Sequence, residues 1–560
     1  MNALTALFAG NLAAEAFKPV FGGKSAFSLA LERAAVFPGT KKIILLGNEG
    51  TEYPTGGAAL GPAFSVIVRE WTVSLLLETL SGEAEGFDLT YYAWADTPFL
   101  DVELAGKLAE RHCRFAADYS YADGWPYGLA PELLGPGTAG ILCKIAGEPG
   151  SGAGTPGEGP VERDSIFAVL QKDINSFDIE TEISTVDLRH HRLNLGADSR
   201  RNLLLLERFA ESGILDAASP CAAVEKFIAE KPEQLRTLPN FFSIQVSRAC
   251  PDQPHTGSCG FCPYRERGEK ARSGGPEPAG GTPDGFMDPG RFAELLDNIE
   301  AFAGDGVIDI SPWGEPAAHP ESEALIEAVL ERPALSLIVE TAGIGWKDKV
   351  PARIAEKVKR SEGTQDSERI QGASPRKNGM AAVSWIVSLN ENDLPVPPDA
   401  SLEPIREAAA FARELAVHFP AVSGRNSVYV QAIRTKGAED AIERFYRAWK
   451  KIDVGIIIQK YNDFCGALPK RNAADLSPIK RRPCWHIMRD FVVLLDGSVP
   501  FCVNACPELW KGDGNVLLGN AFTGSLDDIW KRGEERYREH CREEYRGICP
   551  DCDEYYTYNF

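Results

Sequence analysis

Nine of the 13 cysteines in this 560-residue chain fall in two regions. Cys250, Cys259 and Cys262 form the first, the last two within Cys259-Gly260-Phe261-Cys262-Pro263-Tyr264. The second extends from Cys484 to Cys552. Thiolates grouped in this way are the ligands an iron–sulfur cluster requires. Three close thiolates would leave one iron of a four-iron cluster open, and an open iron can take up a small molecule. The same three sulfurs could instead hold zinc with a fourth ligand such as His255. The scattered Cys113, Cys143, Cys221 and Cys465 read as buried unpaired thiols, the habit of free cysteine in globular cores.

Composition narrows the classes. The length implies about three or four domains. Hydrophobic (44%) and charged (25%) contents are those of ordinary globular protein. A net charge of -21 argues against a broad nucleic-acid-binding face, which needs a basic stripe. No run of about 18 apolar residues is present, so no membrane span is expected. The start, Met1-Asn2-Ala3-Leu4, lacks the basic region of a secretory leader, and the expected compartment is the cytoplasm. Thiols there are reduced, so grouped cysteines read as metal or catalytic ligands before disulfides.

Those cysteines need elements to position them. Over residues 1–235 strand and helix signals alternate: strands at 42–47 and 89–96, a helix at 25–35. Such alternation implies a parallel sheet. A second series starts near Phe241, with strands expected at 241–246, 307–310, 335–339, 382–389, 428–433 and 454–458. In one intervening helix Asp288 caps, Pro289 sits in the first turn, and Phe292, Leu295, Leu296, Ile299 and Phe302 mark one face. In another, Ile442, Phe445, Trp449 and Ile452 keep helical spacing. Ligands of a parallel sheet sit at the carboxyl ends of its strands. The cysteine triad follows the first strand of this series and Gly314-Glu315-Pro316 the second. Residues 491–500 read as a hairpin turning on Asp496-Gly497. Short helices are expected at 526–530 and 531–546. This last part is too small for a core of its own, and a metal staple would help it fold. The stretches 147–159, 268–285 and 360–379 read as long surface loops.

Residues 240–465 resemble a radical S-adenosylmethionine (SAM) enzyme. Eight residues separate Cys250 from Cys259, more than in the family's common triad, and two separate Cys259 from Cys262. Trp313-Gly314-Glu315-Pro316, followed by His319-Pro320, is similar to the family's Gly-Gly-Glu-Pro segment, with Trp in place of the first Gly. Glu340-Thr341-Ala342-Gly343, Ser388-Leu389-Asn390 and Val428-Tyr429-Val430-Gln431 are similar to the ends of its third and fourth strands and to its fifth strand. The resemblance implies a [4Fe–4S] cluster on Cys250, Cys259 and Cys262. It implies SAM bound near Gly314, Glu315, Pro316, Thr341, Ser388, Asn390 and Gln431, with Glu315 accepting from the SAM ammonium. Reductive cleavage of SAM would then yield a 5′-deoxyadenosyl radical that abstracts a substrate hydrogen.

The order Cys484, Gly497, Cys502, Cys549-Pro550-Asp551-Cys552 resembles the SPASM extension of radical SAM enzymes that modify peptides and proteins. It implies an auxiliary [4Fe–4S] cluster on Cys484, Cys502, Cys549 and Cys552, for which Cys506 or Cys541 could substitute one member. Four cysteines also suit zinc. Residues 1 to about 140 resemble a nucleotidyltransferase, carried by Ala9-Gly10, Phe17-Lys18-Pro19-Val20 and Ala95-Asp96-Thr97-Pro98. In that family the Lys meets phosphates and the Asp helps hold a divalent metal. Here the first loop carries Glu15 and no Arg, which favours a unit that kept the fold and lost transfer. The whole order resembles the spiro-SPASM proteins.

The expected fold is therefore α/β in three parts. These are an N-terminal Rossmann-like, GT-A-like nucleotidyltransferase sheet (1–235), a central partial (β/α)6 radical SAM barrel (236–470) and a small C-terminal SPASM cluster domain (471–560). The resemblance implies a peptide, protein or sugar-nucleotide-type substrate and an electron donor such as flavodoxin or ferredoxin, with no nucleic-acid partner. The rival readings are a nucleotidyltransferase with a regulatory redox domain and a zinc-stapled binding protein without chemistry.

Overall fold

The computed structural model describes residues 1–54, 61–147, 157, 159–250, 261–263, 285–361, 381–389, 403–421, 426–505 and 516–557. The expected loops at 147–159, 268–285 and 360–379 lie for the most part outside them. The chain divides into two compact units, Met1–Thr237 and Leu238–Phe560. Among the described residues no helix is long and apolar enough to cross a membrane.

The first unit holds one seven-stranded sheet. Its strands are β1 (Ala3–Phe8), β2 (Thr40–Gly47), β3 (Ala63–Val68), β4 (Leu89–Trp94), β5 (Tyr119–Asp123), β6 (Glu132–Leu134) and β7 (Ile179–Ile183), in the order β3-β2-β1-β4-β6-β5-β7. β1 and β4 are buried at every position, as central strands of a largely parallel sheet are. The three-residue β6 runs antiparallel to β4 and β5, a departure from the expected parallel order. Ser25 caps Ala26–Ala34 through Ser28 N (3.2 Å), within the helix expected at 25–35. Helix Val102–Phe115 buries Leu104, Ala105, Leu108, Ala109 and His112. Cys113 falls just off that stripe and is exposed, so the expectation of a buried thiol there is corrected. Cys221 is buried and Cys143 half-buried.

The second unit contains the six expected strands, β8 (Phe241–Ile244), β9 (Gly306–Asp309), β10 (Leu335–Thr341), β11 (Val383–Ser388), β12 (Val428–Arg434) and β13 (Gly455–Lys460). They pair in sequence order and all in parallel. Sequential order with right-handed crossovers puts every connecting helix on one face. Phe242, Ile308, Leu337, Trp385 and Val430 meet the helices there in one core with Phe292, Leu295, Leu296 and Ile299. Each such buried side chain contributes about 1.5–3 kcal/mol. Asp288 caps their helix, Pro289–Ala303, through Arg291 N (3.0 Å).

Because strand side chains alternate, the other face carries the remaining positions. Toward the amino ends it has an apolar layer of Phe241, Ile338 and Ile386 with Val307, Tyr429 and Ile457. Two residues further along each strand the layer becomes polar: Ser243, Asp309, Glu340, Ser388 and Gln431.

A seventh strand, β14 (Asp490–Val493), extends this sheet by pairing in parallel with β8, Asp490 opposite Phe241. The expected hairpin over 491–500 is thereby corrected. The Asp496-Gly497 turn does form, with Gly497 at φ +83° and its N–H donating to Leu494 O (2.8 Å). It hands the chain to β15 (Ser498–Pro500), which pairs antiparallel with β16 (Leu517–Asn520) in a separate two-stranded sheet. Helices Leu526–Arg532 and Glu534–Cys541 follow, the first capped by Ser525.

Candidate active site and metal centre

Beyond β8 the chain is fixed on its way to Cys250. The Gln245 amide donates to Trp313 O (3.3 Å) and accepts from Leu495 N (3.2 Å). Glu315 N donates to Ala249 O (2.9 Å), which ties the residue before Cys250 to the loop after β9. Cys250 is exposed, and Cys262 is half-buried against Trp313, Val492 and Leu494. Cys259 and Asn390 lie outside the described residues.

The loop after β9 needs its glycine. Trp313 adopts φ +61°, and a Cβ on Gly314 would collide with the Ser247 carbonyl. Pro316 opens a single 3-10 turn, Pro316–Ala318, capped by Glu315. Both Glu315 oxygens are engaged within the protein. Oε1 accepts from Thr341 Oγ1 (2.5 Å) and Ala317 N (3.3 Å), and Oε2 from Ala342 N (2.8 Å). Thr341 Oγ1 also accepts from Gly343 N (3.0 Å) and Trp346 Nε1 (2.9 Å). Glu315 and Thr341 thus brace the ends of β9 and β10 together. His319 is structural: Nε2 bonds Met287 O (2.8 Å) and Nδ1 accepts from Glu321 N (3.0 Å).

Burial pushes the Glu315 carboxyl up to about 7; its three donors pull the other way and Glu340 adds to the rise. A folded value above the ordinary 4.5 means the proton favours the native state. That contribution is full below about pH 4.5 and lost as the pH rises through about 7. Glu315→Gln is expected to flatten this part of the stability profile. It should also cost about 1–3 kcal/mol at every pH, because an amide N–H2 would face a backbone donor. Thermal melts from pH 5 to 8 check it; an unchanged slope would count against Glu315 as the source.

Sequence reasoning missed Asp309 in the polar layer and quoted Glu340 only as part of the turn after the third strand, with no role of its own. Asp309 accepts from Ser243 Oγ (3.1 Å) and Ser311 N (2.9 Å). Glu340 Oε1 accepts from Gln431 Nε2 (2.8 Å) and Ser388 Oγ (3.3 Å). Burial first, then their mutual repulsion, raises the Glu340 value, and burial raises that of Asp309. An acid within the buried strand Val307-Ile308-Asp309-Ile310 was the available signal. Ser388 and Gln431, both expected near SAM, belong to this network.

The C-terminal cysteines come together. Cys484 and Cys549 are buried in one apolar cluster with Ile487, Phe501, Tyr537 and Tyr555, and Cys502 packs on it. Cys484 begins helix Trp485–Arg489; Cys549 opens the turn that ends at Cys552. Arg481 holds that turn by donating to Cys549 O (2.6 Å), its guanidinium lying over Tyr545 (4.1 Å) and Tyr555 (4.4 Å). Burial, then neighbouring thiolates, pushes the Cys484 and Cys502 thiols far up. Buried thiolates that oppose one another are stabilised by a cationic metal centre, so this donor set fits an iron–sulfur cluster. Four cysteines also suit zinc, and metal content separates the two: iron and acid-labile sulfide against zinc. Cys541 packs at the edge of the same apolar cluster, and Cys506 lies outside the described residues. Cys465, expected to be an isolated thiol, packs here too.

In the first unit the expected metal carboxylate is already paired. Asp96, buried at the end of β4, receives both guanidinium nitrogens of Arg163 (3.1 and 2.5 Å). Arg163 also reaches Asp198 (3.1 Å) and lies over Trp94 (4.6 Å) and Tyr127 (4.9 Å). Burial alone would lower the Arg163 value; Asp96 and its neighbours outweigh this and keep it protonated. Lys18 is held by Glu15 (3.5 Å).

Residues 484–553 match SPASM, an iron–sulfur cluster-binding domain. The chain therefore carries an iron–sulfur cluster-binding domain near its C-terminal end. The chain is 32% identical over 398 residues to an uncharacterized protein of Treponema pallidum (strain Nichols), across 70% of this chain and 98% of that protein, and it belongs to that protein's family. Two solved structures show weaker likeness. A cytidylyltransferase from Leptospira borgpetersenii serovar Hardjo-bovis (strain JB197) is 15% identical, spanning 42% of this chain and 97% of its own, with a TM-score of 0.34. BtrN in complex with AdoMet and 2-DOIA is 14% identical, spanning 57% and 92%, with a TM-score of 0.30.

Proposed function

We propose that this chain is a radical SAM enzyme of the spiro-SPASM type. Cys250, Cys259 and Cys262 hold a [4Fe–4S] cluster with one iron left for SAM, and Cys484, Cys502, Cys549 and Cys552 hold an auxiliary cluster. When bound, these groups supply reductive cleavage of SAM and a 5′-deoxyadenosyl radical for hydrogen abstraction. The observation that carries the reading is how the SPASM segment is joined to the parallel sheet. Its β14 lies against β8, the strand that leads to Cys250.

The chain's own groups have defined parts in this. A carboxylate has about four acceptor positions. Glu315 uses three internally, which leaves one for the SAM ammonium. Gly314 lets the loop backbone approach Ser247, and Pro316 fixes its exit. Thr341 braces Glu315 from β10. Ser388, at the end of β11, and Gln431, within β12, are joined to Glu340 on the same face of the sheet. The closed four-thiolate cluster relays electrons or fixes structure. The substrate class is a peptide, a protein or a sugar-nucleotide-type molecule, and a flavodoxin or ferredoxin supplies electrons. Formation of 5′-deoxyadenosine by the reduced, reconstituted protein tests the assignment.

The first unit has kept a nucleotidyltransferase-like sheet without the transfer. Arg163 occupies the carboxylate that a divalent cation would need, and Glu15 neutralises Lys18. With magnesium, a nucleoside triphosphate and a sugar phosphate, the chain is expected to release no pyrophosphate above the blank. Release that depends on Asp96 would restore the rival reading of a working transferase.

A further inference from the structure

Residues 473–483, on the way from β13 to Cys484, adopt no helix or strand, yet the segment is pinned at both ends. At its start Lys436 N donates to Arg471 O (2.9 Å), and the Asn472 amide donates to Asp553 Oδ2 (3.2 Å), one residue beyond Cys552. At its end the Arg481 guanidinium donates to Cys549 O (2.6 Å) and Pro550 O (3.3 Å). Between these anchors Asp475 closes a turn by accepting from Ser477 N (2.9 Å), and Pro478 and Pro483 fix their own φ. The loop is thus held rather than slack.

Its composition departs from that of the chain. Gly466 to Pro483 carry five basic residues, Lys470, Arg471, Lys480, Arg481 and Arg482, against one acid, Asp475, in a chain of net charge -21. Lys470, Arg471 and Lys480 are exposed. Two apolar side chains stand among them in water: Leu476 is 59% exposed and Ile479 fully so. Apolar side chains ringed by charge are the anatomy of a surface that a partner covers.

The place of this surface says which partner. Ile479 lies five residues before Cys484, and five residues of chain reach at most about 18 Å. Arg481 holds the carbonyl of Cys549 itself. Cys484 and Cys549 are buried, so a visiting protein meets this rim and not the sulfurs. An electron needs only a short gap, whereas a reacting group needs contact. Basic groups beside the centre steer an acidic visitor. A patch with only two apolar side chains suits redox encounters, which lie at the small end of interface size.

We propose that Leu476 and Ile479, set among Lys470, Arg471, Lys480 and Arg482, form the docking surface for a small acidic electron-carrier protein that reduces the auxiliary centre. The reduced carrier loses one electron and the cluster gains it; no bond forms or breaks. The proposal rests on the reading that Cys484, Cys502, Cys549 and Cys552 hold that cluster.

The test uses the full chain with Cys250, Cys259 and Cys262 changed to Ala, so that only the auxiliary cluster loads. Reduced flavodoxin, an acidic carrier, is the probe, and stopped-flow absorbance follows electron transfer to the cluster at low and high salt. Lys470→Glu/Lys480→Glu is expected to slow the second-order rate about tenfold at low salt, a difference that shrinks as salt screens the charges. Ile479→Ser is expected to slow it at both ionic strengths. These side chains are exposed, so iron should stay at about four per chain. Salt alone tests the parent without any substitution: a rate that does not fall with ionic strength overturns the proposal. Equal rates in parent and variants overturn it, as does a loaded parent that flavodoxin fails to reduce. Equal rates with binding of the parent alone to phosphatidylserine vesicles would give the surface to an anionic membrane. Equal rates with a low-salt dimer that Lys470→Glu/Lys480→Glu dissolves would give it to a second copy of this acidic chain. A parent protein without iron would remove the four-cysteine reading itself, whereas a loaded parent with unchanged variants removes only the docking surface.

Discussion

Reduced, anaerobically reconstituted chain is expected to convert SAM to 5′-deoxyadenosine and methionine, and Cys259→Ala/Cys262→Ala is expected to reduce this to the blank. Two of three ligands vanish in that variant, and a lone thiolate at Cys250 does not retain a four-iron cluster. The fold should tolerate the change. Cys262 is only half-buried, at the edge of the apolar cluster of Trp313, Val492 and Leu494. Losing one sulfur there costs about 1 kcal/mol, on the scale of a buried methylene. Far-UV circular dichroism and the thermal midpoint should therefore stay near the parent values while product disappears, with chromatography of the nucleoside as the readout. Continued SAM cleavage by the double variant would sink the triad assignment.

Loss of the auxiliary site should read out in iron. Cys549→Ser is expected to lower bound iron by about four per chain while the SAM-site cluster still assembles. Cys549 is buried, and its carbonyl is fixed by Arg481, so the substitution leaves the turn in place and removes only the soft ligand. A hydroxyl is a poor substitute for a thiolate on iron. Iron and sulfide assays decide the matter, and an unchanged iron count would refute the four-cysteine auxiliary site.

The six strands β8 to β13 were legible because strands buried on both faces give short, continuous apolar runs, and each ends near its expected residue. A helix start was legible where the cap is local, at Asp288. Longer-range facts were hidden. Val492-Val493-Leu494 beside Asp496-Gly497 obeys the local rule for a hairpin, yet the partner of this strand lies in β8, with Gln245 and Leu495 bonded 250 residues apart. The place of Glu315 in the loop after β9 was legible from its Gly and Pro neighbours and the strand before them. Its clamp on Thr341 and Ala342 was not, because no local pattern encodes a contact across two strands. Cys465 was read as an unpaired buried thiol since no second cysteine stands beside it in sequence; its packing on the cluster of Cys484 and Cys549 is a tertiary contact. In the first unit Asp96 was legible, but Arg163, from beyond the long 147–159 stretch, was not.

The parallel pairing of Asp490–Val493 with Phe241–Ile244 also bears on synthesis. A ribosome delivers β8 early and its outer neighbour only near the end. In the interval that border of the sheet presents unpaired amides and carbonyls, the template on which strands of other chains add. Removing the last 80 or so residues should therefore yield an aggregation-prone fragment rather than a trimmed but soluble enzyme. The C-terminal segment seals the sheet as well as housing metal.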